Sequence, residues 1–167
     1  AYRRQRQMCI RDSAITTYVG QNLGAKKYRR IRNGVRSGVY MALITSIVIS
    51  GVMVITGRNI LSLFVSGEAG QVKQVLDIAY KYLFIMAIFL WVLYLLYVYR
   101  SAIQGLGNTL IPLASGVVEF CMRVGVALLL PKLIGEDGIF YAEISAWSGA
   151  AILLIVSYVV IIRKYKE

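Results

Sequence analysis

The stretch Leu110–Leu133, LIPLASGVVEFCMRVGVALLLPKL, constrains the fold more than any other. It is apolar and long enough to cross a hydrocarbon core of ~30 Å, yet it carries Glu119 and Arg123 near its middle. Four residues apart, the two side chains share one face of a helix and can pair. Charges at membrane depth are costly, so they face a bundle interior or a water-filled cavity. There they serve transport, or they lock one helix to its neighbours, and the residues themselves leave both roles open.

Composition extends this reading to the whole chain. Of 167 residues, 58% are hydrophobic and 16% charged, against ~45–50% and ~25% in a soluble domain. Both departures point to a membrane protein of one bundle. The net charge of +11 could point to nucleic acid, but Arg and Lys crowd short segments between apolar runs, as in loops held on the cytoplasmic side. Aromatic–basic interleaving on a soluble domain is missing, so nucleic acid is not an expected partner. Histidine is absent, which removes His-based triads and the commonest transition-metal ligand. Cys9 and Cys121 are isolated, so neither a disulfide framework nor a metal site is expected. No GxxxxGK[ST] loop occurs, so the chain is not itself an ATP-driven motor. With no nucleophile–base set in view, the expectation is a non-enzyme without cofactor or metal.

Residues 1–13, AYRRQRQMCIRDS, match nothing that follows. Gln7–Ser13 reads as the in-frame translation of a transposon-end primer used in sequencing libraries. The segment is therefore expected to be an assembly artefact, with the alternative of a native basic arm that binds a membrane surface. The coding DNA decides between them: codons that differ from the primer sink the artefact. If the artefact is real, the natural protein is longer and its N-terminal part is missing.

Ala14–Gly20 reads as the end of a helix, and Gln21–Arg36 as a basic solvated loop or interfacial helix. Ser37–Gly57 is uncharged, with Gly38, Ala42, Ser46, Ser50 and Gly51 as a small-residue packing stripe. Asn59–Val65 reads as a short amphipathic turn, and a helix is expected to begin near Gly67–Glu68. Lys73, Asp77 and Lys81 fall at i, i+4, i+8, the pattern of a solvated face. Tyr82–Tyr99 then runs uncharged to Arg100, with tyrosines at both ends as interfacial anchors. Trp91 and Tyr94 lie near its middle; they can hold an organic cation by cation–π attraction or simply pack. Ser101–Thr109 reads as a Gly-containing turn, Pro112 as a first-turn proline, Pro131 as the end of the next helix and Gly135–Gly138 as a polar turn. Glu143 is the one charge inside the last span, Ile139–Ile162.

The expected fold is all-α, a polytopic membrane bundle. Four complete transmembrane helices (about 37–57, 76–99, 110–131 and 139–162) follow the end of a preceding one. Ten basic residues fall on one side (Lys26, Lys27, Arg29, Arg30, Arg32, Arg36, Arg100, Arg163, Lys164 and Lys166) and four on the other (Arg58, Lys73, Lys81 and Lys132). That bias puts the C-terminus in the cytoplasm.

VGQNLGAKKY (Val19–Tyr28) resembles a loop motif of the MATE multidrug and toxic-compound extrusion transporters, with Gly20, Gln21 and Gly24 as its marks. IQGLGNTLIP (Ile103–Pro112), with Gln104, Gly105 and Gly107, is similar to the family's second motif, close to ALRGxGDTxxP. The run from Glu119 through Arg123, Ala127 and Pro131 to Gly138, Ala142, Ala146 and Trp147 resembles the C-terminal end of many bacterial members. The resemblance covers Ala14–Lys164. It implies a twelve-span, two-lobe transporter of which this chain holds the end of span 8 and spans 9–12, with the N-terminal lobe as its missing partner.

The resemblance also implies a bacterial cytoplasmic membrane, export of small cationic organic substrates, and Na⁺ or H⁺ as coupling ion. Glu119 and Glu143 then become ion-coupling candidates, with Arg123 as a pairing residue. Two departures stand out: Leu93 sits about where some members carry a cation-binding carboxylate, and Asn108 replaces an acidic residue. Two other readings compete. One is a lipid-linked-oligosaccharide flippase of the same superfamily, whose cavity is strongly cationic. The other is a non-transporting scaffold or partner subunit.

Overall fold

The computed structural model describes residues 14–64, 69–135 and 138–165, and these form five helices. They are α1 (14–24), α2 (Tyr28–Ser62), α3 (Ala69–Gly105), α4 (Leu110–Ile134) and α5 (Gly138–Lys164). The expected helix start at Gly67–Glu68, the tip of the Gly135–Gly138 turn and residues 1–13 lie outside the described residues.

The last four helices are long and apolar enough to cross a membrane. The expected all-α bundle of four spans, with the end of a preceding helix, is what forms. Each helix, however, outruns the apolar segment that marks it. α2 continues upstream through Tyr28–Arg36 and downstream past Arg58 to Ser62. The basic segment is thus largely the first turns of the spanning helix, and Asn59–Ser62 is its last turn rather than a separate one. α3 continues to Gly105, so only residues 106–109 turn where Ser101–Thr109 was expected to. Pro131 lies inside the last turn of α4, where the Gly135 N–H still bonds the Pro131 carbonyl (3.0 Å). Charge marks where a helix leaves the bilayer, not where its hydrogen-bond ladder stops.

Neighbouring contacts fix the topology. Arg58 pairs with Asp77, Tyr80 donates to the Val54 carbonyl and Ser50 to the Ala87 carbonyl, so α2 and α3 are antiparallel. Tyr82 meets Phe140 and Tyr99 meets Tyr158, so α3 and α5 run parallel. α4 packs chiefly on α5, antiparallel to it, with Gly149 against Met122 and Gly138 against the backbone at Leu130. The helices are thus ordered α2–α3–α5–α4, and α1 fills the end between α2 and α3, with Ile15 beside Gly38.

Small residues allow this closeness, since lipid offers no hydrophobic force to drive helices together. On α2 the stripe Gly38, Ala42, Ser46 and Ser50 faces inward, with Ala42 and Ser46 fully buried. Gly51 does not belong to it: it is exposed and has no neighbour within 4 Å of an added Cβ. On α5, Ala142, Ala146 and Ala150 are buried one turn apart beneath Leu154. Leu96, Val98 and Ile103 of α3 join them in the core, with Val19 of α1 and Ile31 and Val35 of α2. The outer faces are apolar, as with Ile44, Ile47, Val48 and Ile55 on α2 and Leu113, Val117, Phe120 and Leu128 on α4. A bilayer solvates such faces and water does not.

Candidate functional site

Ser115, Glu119 and Arg123 succeed one another at four-residue intervals and form one polar stripe along α4. The stripe is met from both sides. From α3, the Arg100 Nη2 donates to Ser115 Oγ at 3.1 Å and to Glu119 Oε2 at 3.2 Å. From α5, Glu143 accepts two bonds from Arg123, Nε to Oε2 at 2.7 Å and Nη2 to Oε1 at 2.9 Å. Arg123 Nη2 also reaches Glu119 Oε1 at 3.2 Å. The result is a ladder, Arg100–Glu119–Arg123–Glu143, that stitches three helices together.

The two ends of the ladder differ in strength. Arg123 and Glu143 form a short two-pronged pair, the strong form of charge-assisted bond. Glu119 is held by two longer bonds, one from each arginine. Arg100 has its Nε buried with no partner, while its guanidinium lies 5.9 Å from the Tyr97 ring centre. Two carboxylates against two guanidiniums leave the ladder neutral. It is not sealed, because Glu119 keeps 20% and Glu143 30% of its side-chain surface. Beside Arg100 a shallow recess of about 350 Å³ opens between the end of α3 and the start of α4, lined also by Gln104, Thr109 and Gly116.

At the same end of the bundle, the glycine-bearing segments 19–28 and 103–112 lie against each other. A Cβ on Gly105 would fall 2.7 Å from the Thr16 carbonyl and 2.7 Å from the Val19 Cβ. Gly20 lies 3.6 Å from the Gly105 carbonyl by the same measure, and Thr16 Oγ1 donates to the Ser101 carbonyl (3.1 Å). Residues 9–129 match the family model MatE, which takes in both glycine segments and the Glu119–Arg123 stripe. The chain belongs to the MatE family. A search of the curated proteins found no match.

As a MatE protein it is a multi-pass membrane protein of the MATE transporter superfamily. Its motif residues then take specific places. Gly20 and Gly105 are helix-crossing glycines; Gly107, at φ +83°, makes the α3–α4 turn in the left-handed region that favours glycine. Gln104 lines the recess, Gln21 is exposed and accepts from the Ala25 N–H (3.1 Å), and Gly24 precedes the turn in which Lys26 takes φ +55°. The side-chain oxygen of Asn108, the residue read from the sequence as replacing an acid, accepts the Ile111 N–H at 3.1 Å. An amide oxygen caps a helix as a carboxylate does.

The ladder brings Glu119, Arg123 and Glu143 together, and Glu143 lies beyond the matched segment. Trp91 has an exposed ring and Tyr94 packs partly buried against the core; neither supplies a bond of the ladder. Arg100 is the member that the sequence hid. With Ser101–Thr109 read as a turn, Arg100 looked like an interfacial charge, whereas it sits more than a turn inside α3 and faces α4.

Proposed function

We propose that this MatE chain is part of the second lobe of a secondary antiporter that exports cationic, amphipathic compounds in exchange for Na⁺ or H⁺. A further lobe completes the cavity, and residues 1–13 are read as foreign to the natural protein, although the family match already takes in residues 9–13. The reading places the chain in a bacterial cytoplasmic membrane with its C-terminus inside. It rests most on one observation: two carboxylates on helices long and apolar enough to cross a membrane, unequally held, in a ladder whose net charge is zero.

Antiport needs a negative charge for which the coupling cation and the cargo compete. Glu119 suits that role better than Glu143, because its two bonds are long and its partners are shared. When a proton or Na⁺ takes Glu119, Arg123 still has Glu143, and Arg100 still has Ser115 and the Tyr97 ring. Neither arginine is then stranded. Arg123 and Glu143 hold the α4–α5 geometry while Glu119 changes partner. Trp91, with its exposed ring, is the stronger of the two aromatic candidates for an organic cation. The neutral ladder also gives no cationic excess of the sort a pyrophosphate-linked lipid would need, which favours a cation exporter over a flippase.

The test is ion-driven efflux of a cationic dye by the full-length protein in cells. Glu119→Gln is expected to abolish coupled efflux while the protein still reaches the membrane. Glu143→Gln is expected chiefly to lower its abundance. Undiminished efflux in both variants makes the carboxylates structural and ends this assignment.

A further inference from the structure

The end of the bundle where α2 begins and α5 finishes carries a charge pattern that the ladder does not use. Lys26, Lys27, Arg29, Arg30, Arg32 and Arg36 lead into and along the first turns of α2, and all are exposed. Ile31 and Val35 between them are buried, so the helix is pinned by one face and offers its charges on the others. Arg163 and Lys164 close α5, also exposed. These two segments, more than 120 residues apart in sequence, are joined in space by the stacked rings of Tyr28 and Tyr165, 5.1 Å between centroids and 23° between planes. Arg32 lies within electrostatic reach of Tyr158, nearly two turns before the end of α5.

Among the described residues, opposing charge is missing from this end. Among the described residues the carboxylates are Asp77, Glu119 and Glu143; Asp77 pairs with Arg58, and the other two lie within the ladder. None of the eight basic side chains is ion-paired among the described residues. The next two residues in sequence, Lys166 and Glu167, cancel.

The height of this patch relative to the bilayer follows from helix length. α2 has 35 residues, roughly 50 Å at the α-helical rise, against a hydrocarbon core of about 30 Å. Its uncharged part begins at Ser37. Arg36 bonds the Tyr40 hydroxyl and lies 5.6 Å from that ring, and Tyr99 meets Tyr158 edge-on nearby on the bundle. Aromatic rings of this kind sit at headgroup level. The eight charges therefore lie just outside the hydrocarbon, at the depth of lipid phosphates.

We propose that the joined ends of α2 and α5 form a docking surface for anionic phospholipid headgroups. Clusters of four to eight Lys and Arg beside a spanning helix recognise anionic lipid in this way. Here the cluster is assembled by tertiary contact, so neither segment accounts for it alone. A lipid phosphate bridging the two segments would hold the first turn of α2 against the last turn of α5.

The experiment uses the intact protein reconstituted in phosphatidylcholine bilayers with trace spin-labelled phosphatidylglycerol or spin-labelled phosphatidylcholine. The immobilised spectral fraction gives the relative association of the two lipids. Phosphatidylglycerol is expected to be favoured at low salt, and the preference is expected to shrink as salt rises. The paired changes Arg163→Gln/Lys164→Gln and Arg29→Gln/Arg32→Gln should each lower it about fivefold or more. Because these side chains are exposed, helical circular dichroism is expected to stay unchanged in both variants. Equal association of the two lipids with the unaltered protein overturns the proposal, as does a preference that survives both paired changes. Displacement of the lipid by glycerol phosphate at constant ionic strength marks a soluble-phosphate site instead. Retention of polyglutamate in place of any lipid preference marks a surface for acidic protein. Either result ends the assignment to lipid.

Discussion

Among the glycines of the segments 19–28 and 103–112, Gly105 carries the tightest steric demand. A methyl group there would meet a backbone carbonyl and a Cβ, both at 2.7 Å, and neither can swing aside. Gly57 faces a comparably close atom, but it is the flexible end of Leu83. Gly105→Ala is therefore expected to force α1 away from α3, lowering stability by about 1–3 kcal/mol as overpacking does. Gly51→Ala, with open space around it, should leave stability unchanged within about 0.5 kcal/mol or raise it slightly. Thermal unfolding of the detergent-solubilised protein followed by circular dichroism checks both; equal midpoints for the two variants contradict the close crossing. The sequence marked both segments by their glycines, but not what the glycines do, because a crossing is a contact between residues some 85 apart. Gly51 was misplaced for the opposite reason. It is small and near the stripe, yet its angle around the helix turns it outward, and smallness alone does not reveal direction.

At the level of helices, the ladder is the feature that sequence spacing reaches only in part. Glu119 and Arg123 could be paired from the sequence because i, i+4 neighbours meet on any helix. Glu143 could be seen as a charge within a span, but its partner lies on another helix and only the fold supplies it. Arg100 escaped altogether, since a charge at the edge of an apolar run reads as an interfacial anchor whether or not the helix continues. The ladder predicts strong coupling between α4 and α5. Arg123→Gln takes from Glu143 its two-pronged partner, and Glu143→Gln removes the shorter of the two attachments of Arg123. Each single change is expected to cost about 1–3 kcal/mol, the range for a charge-assisted hydrogen bond lost from a partly buried pair. The double change, which strands no charge across that pair, should cost clearly less than the two singles combined. Additive effects in unfolding midpoints would mean that the pair forms no energetic link. The cycle is independent of transport, so it isolates the structural half of the ladder from the exchange proposed for Glu119.

The molecule as a whole follows from counting crossings, and the crossings were legible because each needs a long apolar run. Helix ends were not, because a helix leaving the bilayer keeps its hydrogen bonds while its side chains turn polar; α2 and α3 both do so. The antiparallel and parallel contacts put the start of α2 and the end of α5 at one end of the bundle, and the Arg58–Asp77 pair at the other. Arg29 and Lys164 should therefore be reached from one side of the membrane and Lys73 from the other. Single cysteines at these three positions, in a protein with Cys9→Ala and Cys121→Ala, can be labelled with an impermeant maleimide in cells and in inverted vesicles. Position 73 is expected to react in intact cells, and positions 29 and 164 only once the vesicles are inverted, because the basic excess belongs on the cytoplasmic side. Reaction of 29 and 164 from opposite sides would require an odd number of crossings between them, in conflict with the stacked Tyr28 and Tyr165. Reaction of both in intact cells would keep the fold and reverse its orientation. The basic patch would then meet the outer leaflet, and Glu119 would have to be loaded from the opposite side of the membrane.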